Sequence, residues 1–153
     1  MAFDRQRAGL AILRVCVGVF FLFEGLGKIR WFTDTSILAR QLNDWLVAVP
    51  PDSLSHAYLQ RFAIPGAATF ARLVPLGEMM SGLALVLGVR TPQFALAAFL
   101  MAFNFEFASG VIFTYGFLTN GYGLPVLGST LALAFAGSAG NRATKRLAKP
   151  SRT

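Results

Sequence analysis

The stretch AGLAILRVCVGVFFLFEGLGK, Ala8 to Lys28, decides the fold. Apart from Arg14 and Glu24 it carries no charge until its final residue, and it is apolar on every side rather than along one stripe. A helix that is apolar all round is buried either in a large core or in lipid. Its 21 residues match the roughly 20 that a helix needs to cross about 30 Å of hydrocarbon. A chain of 153 residues forms one domain and cannot surround such a helix with a large soluble core. Lipid is the remaining solvent.

Three more runs of the same kind follow. They are TFARLVPLGEMMSGLALVLGV at Thr69 to Val89, QFALAAFLMAFNFEFASGVIFTY at Gln93 to Tyr115, and YGLPVLGSTLALAFAGSA at Tyr122 to Ala139. In hydrocarbon the backbone must satisfy itself, and continuous apolar runs are not the alternating pattern of a barrel. The expected fold is all-α, a four-transmembrane-helix bundle in a single domain. Its spans lie near 8–28, 69–89, 93–115 and 122–139. Composition agrees: 55% of residues are hydrophobic, fifteen are Phe, and only 14% are charged. Arg5 and Arg7 before the first run suggest a signal peptide, but no small-x-small cleavage site closes it, so it reads as a retained span.

Basic residues give the orientation. Arg5, Arg7, Arg90 and the tail residues Arg142, Lys145, Arg146, Lys149 and Arg152 fall on one side; Lys28, Arg30, Arg40 and Arg61 fall on the other, diluted by Asp34, Asp44 and Asp52. Eight against four puts both termini, with the basic tail 141–153, in the cytoplasm. Trp31, Trp45, Tyr58, Tyr115 and Tyr122 gather at the other, outer side as an aromatic belt. The net charge of +7 therefore reads as contact with anionic lipid, and no nucleic-acid motif accompanies it.

The only long connection, 29–68, contains a helical pattern. Leu38, Leu42, Trp45 and Val49 recur at helical spacing, with Arg40, Gln41, Asn43 and Asp44 opposite and Thr33 or Asp34 as caps. The segment 34–49 is expected as an amphipathic helix on the outer membrane face or capping the bundle, and Leu38, Leu42 and Trp45 as a surface for partner docking.

Charges inside the spans should face protein rather than lipid. From the helical rise, Glu24 lies roughly +9 Å and Arg72 roughly +10 Å outward of the span midpoints. Glu106 comes out near +3 Å, Glu78 near +1 Å and Arg14 near −6 Å, all about one turn uncertain. An ion pair between Glu24 and Arg72 is expected, with Lys28 one turn further out. Glu78 and Glu106, level with each other and close to Asn104, cannot both stay ionised without a cation; Arg14 could serve Glu78 or turn back to the headgroups. The seven residues form either a polar pocket for a quinone head group or a proton, or interhelical glue. Gly18, Gly25, Gly77, Ser81, Gly88, Gly128 and Ala132 are expected to let helices pack closely, and Cys16 to be a small packing residue.

Other chemistry lacks its residues. One histidine, His56, and one cysteine, Cys16, allow neither a bis-histidine haem nor a dithiol, and no metal site is expected. No phosphate-binding loop or nucleophile triad is recognisable. No cofactor is expected to be held by this chain alone, quinone excepted.

The arrangement resembles the DoxX family of small bacterial membrane proteins. The resemblance lies in LRVCVGVFFLFEGLGK with Arg14, Gly18, Phe21, Gly25 and Lys28, in LVPLGEMMSGLALVLGVRT with Glu78, and in FNFEFASG; it covers about Leu13 to Gly121. It implies four helices in the bacterial inner membrane and directs attention to Arg14, Lys28 and Glu78. Some members are subunits of a thiosulfate:quinone oxidoreductase or partners of redox proteins. The resulting expectation is a non-catalytic membrane subunit or anchor of a quinone-linked redox assembly, with other membrane subunits as partners. The alternatives are an oxidoreductase subunit supplying the quinone and proton site, and a small carrier for an apolar ligand.

Overall fold

In a computed structural model, residues 2–147 are described, with side chains over 5–112 and 114–136. The described residues are helical with no strand. Four long helices, α1 (Ala2–Gly27), α4 (Ala67–Leu87), α5 (Thr91–Ala108) and α7 (Leu124–Leu147), pack in sequence, and α7 returns to touch α1. Between α1 and α4 lie α2 (Ser36–Ala48) and α3 (Leu54–Tyr58), the latter continuing as a π-turn; α6 (Gly116–Thr119) precedes α7.

By length and composition, Arg5–Gly27 and Ala67–Leu87 clearly suffice for membrane crossings. Their outward faces are greasy, with Ile12, Phe23, Leu73, Leu83 and Leu87 all more than half exposed. Cys16 is exposed on α1 rather than packed, so the expected packing role falls away. The α4–α5 turn is a Schellman cap. Gly88 adopts φ +75°, its N–H donates to the Leu85 carbonyl, and the Val89 N–H donates to that of Ala84.

The third apolar run is one helix only as far as Ala108. Gly110, at φ +75°, turns the chain away, and a short 3-10 turn over Val111–Phe113 follows. The fourth run is helical beyond 139, through the tail residues Arg142, Lys145 and Arg146, while Lys149 and Arg152 lie outside the described residues.

The α1–α4 register is set by backbone approach. A Cβ on Gly18 would sit 2.8 Å from the Val86 nitrogen, one on Gly82 2.4 Å from the Leu22 nitrogen, and one on Gly25 2.8 Å from the Pro75 carbonyl. Antiparallel partners whose residue numbers sum to about 102 are therefore level. Gly128, by contrast, has nothing within 4 Å of such a Cβ, so it is not the close-packing residue expected.

α2 caps the bundle. Asp34 accepts hydrogen bonds from the Ser36 N–H at 3.0 Å and the Ser36 hydroxyl at 2.6 Å. These donors hold its carboxyl below the usual aspartate value. Leu38 and Leu42 are 3% and 4% exposed, packed with Trp31, Leu59, Ala63, Ala67, Ala71 and Ala108, and Trp45 packs on the edge of the same core. The expectation that these residues await a partner is corrected: α2's apolar stripe is covered by the chain's own helices.

Candidate functional site

Directly beneath α2 is a cavity of about 350 Å³ between α1, α4, α5 and the start of α7. Aromatic walls come from Phe20, Phe21, Trp45, Phe105 and Tyr122, and polar groups from Glu24, Lys28, Gln41, Glu78, Glu106 and Asn120.

Lys28 is the hub. Because its side chain leans back toward the start of α1, its ammonium reaches the level of Glu24 and Glu78. It donates to Glu24 Oε2 at 2.8 Å and to both Glu78 oxygens at 2.9 Å. The same Nζ lies 5.7 Å from the Phe105 ring centroid and 6.0 Å from that of Trp31, a cation held between carboxylates and π faces. Glu78 is 4% exposed and Glu106 6%. Glu106 accepts from the Asn120 amide at 3.0 and 3.2 Å. The Tyr122 hydroxyl donates to Glu24 Oε1 at 3.1 Å, and its ring packs on Phe20 at 5.4 Å.

Of the seven residues expected to form the polar cluster, four meet here: Glu24, Lys28, Glu78 and Glu106. Three do not. Arg72 is exposed, and among the described residues no salt bridge joins it to Glu24. In the observed register Glu24 is level with Glu78, six residues, or about 9 Å, along α4 from Arg72. Asn104 is on another face of α5, accepting from the Tyr58 hydroxyl at 2.5 Å. Arg14 lies midway along α1, beside the C-terminal end of α4, where its guanidinium occupies the space a Cβ on Gly88 would need. It therefore serves neither Glu78 nor Glu106. Asn120, Tyr122 and Gln41 were not expected in the polar cluster; by sequence Tyr122 belongs to the aromatic belt and Gln41 to the polar face of the 34–49 helix, and neither pattern aims a side chain at Glu24 or Glu106. Among the described residues no group of three or more His, Cys, Asp and Glu side chains is arranged to hold a metal ion.

The DoxX family profile matches residues 9–105, well over half the chain. The chain belongs to the DoxX family. As a DoxX protein it is a member of a membrane family, and its apolar outer faces meet the lipid bilayer. No curated protein and no solved structure matches the chain. The DoxX match contains Glu24, Lys28 and Glu78 but stops one residue before Glu106. The resemblance of FNFEFASG to the family thus lies mostly beyond it. The cavity joins the Lys28 hub, inside the matched residues, to Glu106, Asn120 and Tyr122, beyond them.

Proposed function

We propose that this DoxX protein is a four-span subunit of a redox assembly in the bacterial inner membrane, providing a pocket for a quinone-type head group. The observation that carries the reading is the cavity itself, which combines five aromatic side chains with a lysine, three carboxylates and two amides. Its volume is at the lower end of the range for small-molecule sites, suiting a one- or two-ring head group whose tail stays in lipid. Quinone reduction requires proton donors beside a planar apolar ring, and Glu78, Glu106 and Lys28 are groups of that kind. A partner protein would supply the electrons. Leu38 and Leu42 are buried under the chain's own helices, so the amphipathic segment no longer supports an anchoring role, and the pocket is the better supported reading.

Quenching of Trp45 fluorescence by a short-chain quinone tests the reading. Purified protein should show saturable quenching that is lost in Trp45→Phe, where Trp31 remains, and weakened in Lys28→Met. Quenching that never saturates, or survives Trp45→Phe unchanged, rejects the pocket. Topology is tested separately in a Cys16→Ser background. Arg40→Cys and Lys145→Cys should label from opposite sides of the membrane, the latter from the cytoplasm; labelling from one side rejects the four-span arrangement.

A further inference from the structure

The site's hydrogen bonds form a continuous chain with a wet end and a dry end. The Tyr122 ring, 50% exposed, carries the hydroxyl that donates to Glu24. The Glu24 side chain is 30% exposed, Lys28 17% and Glu78 5%, so exposure falls at each step inward. Beyond Glu78 the interior closes. Val17, Phe21, Leu85, Ala95, Ala98 and Leu133 form a dry layer, while Gly18 and Gly82 bring the α1 and α4 backbones into contact. Thr130, fully buried, gives its hydroxyl to the Val126 and Leu127 carbonyls of its own helix. Arg14 is ten residues from Glu24, about 15 Å along α1.

We infer that Glu24 is the proton-entry group of the pocket, relaying protons through Lys28 to Glu78 from the water on the α2 side only, with Tyr122 as the positioning residue that aligns it. The transfer balances within the chain. Protonated Glu24 gives its proton to Lys28 as the ammonium gives one to Glu78; Glu24 returns to carboxylate, Lys28 stays an ammonium and Glu78 becomes the acid. A proton from water then restores Glu24. Glu106, held by Asn120, and Gln41 also face this cavity but stand outside the hydrogen-bonded chain.

The inference deepens the quinone reading by giving its protons a side of origin, yet its test needs no quinone. Infrared spectroscopy on the full chain in detergent, moved into D2O, follows deuteration of the protonated Glu78 carboxyl, identified by its loss in Glu78→Gln. Glu24→Gln should slow that exchange about tenfold or more, because an amide cannot pass on a proton. Tyr122→Phe should slow it less, Glu24→Asp should recover most of the parent rate, and Arg14→Gln should leave it unchanged. Circular dichroism confirms that each variant is folded. An unchanged rate in folded Glu24→Gln overturns the inference. Equal slowing in Arg14→Gln does so too, as does a Glu78 that never takes up a proton at any pH the fold survives. Quinone quenching that persists while exchange ignores Glu24 would sink the relay and spare the pocket; the converse would sink the pocket alone.

Discussion

Replacing Lys28 with Met removes the only cation hydrogen-bonded to Glu24 and Glu78 among the described residues. The side chain is nearly isosteric, so the loss is chiefly electrostatic. Removing one member of a buried ion pair typically costs about 3–5 kcal/mol, since the other is left charged and dry. Here a proton limits the penalty. Glu78, at 5% exposure, cannot recover its solvation, but it can fold neutral. From an ordinary glutamate value near 4.3, taking up a proton at pH 7 costs about 1.4 kcal/mol for each of roughly 2.7 pH units, or about 3.7 kcal/mol. Glu24, 30% exposed and hydrogen-bonded by Tyr122, keeps its charge at smaller cost. The native variant then holds one more proton than its unfolded chain, so acid stabilises it. Its deficit should shrink by about 1.4 kcal/mol for each pH unit below neutrality, until the unfolded carboxyl is protonated too. Glu78→Gln added to Lys28→Met should restore more than half the loss. Reversible unfolding in mixed detergent micelles, followed by far-ultraviolet circular dichroism at several pH values, measures all three proteins. A deficit under about 1 kcal/mol at neutral pH, one that grows on acidification, or a double variant no better than the single would refute the assignment of Lys28 as hub.

The same unfolding assay serves four further substitutions. Gly82→Ala, whose new Cβ would meet the Leu22 backbone at 2.4 Å, should lose about 1–3 kcal/mol, while Gly128→Ala, with nothing within 4 Å, should gain about 0.5–1 kcal/mol from better helix propensity. Leu42→Ala should cost about 2–5 kcal/mol, because the residue is inside the cap rather than on a free surface. Arg72→Gln should change stability by no more than about 0.5 kcal/mol, since it removes an exposed charge that makes no salt bridge among the described residues. At the start of α2 the Asp34 carboxyl is held below its usual 3.8 by Ser36, so its contribution is complete above that value and fades as pH falls through the lower, folded one. The protection factor of the Ser36 amide, the intrinsic exchange rate divided by the observed one at the same pH, should therefore fall in acid in the parent, and Asp34→Asn should remove most of that dependence.

The all-helical class and the order of the four long helices were legible because long apolar runs with few charges admit few structures. The capping helix was legible for a different reason, since Leu38, Leu42 and Trp45 repeat at the spacing of one helical face. What that face meets was not. An apolar stripe carries no label for its partner, and the Ala63, Ala67, Ala71 and Ala108 that cover it look in sequence like ordinary membrane-helix residues. The break after Ala108 was hidden because ASGVIF stays apolar past the helix end; only the left-handed Gly110, where a Cβ would strike Val49 at 2.7 Å, reveals it.

The site shows where depth arithmetic fails. Heights taken from hydropathy midpoints assume that each helix is centred in the bilayer, but helices adjust their offset to whichever register brings small residues into backbone contact. Gly18 on Gly82 and Gly25 on Pro75 fix that offset for α1 and α4, and it differs from the centred arrangement by about 9 Å along α4. That shift exchanges Arg72 for Glu78 as the group opposite Glu24. It turns an expected acid–base pair into two acids facing each other, an arrangement that is unstable without a cation between them. Lys28 supplies that cation because α1 ends at Gly27: one residue past the helix, its side chain can fold back a full turn into the cavity. Glycine spacing therefore determines which charges meet, and the lysine at the helix end makes that meeting tolerable.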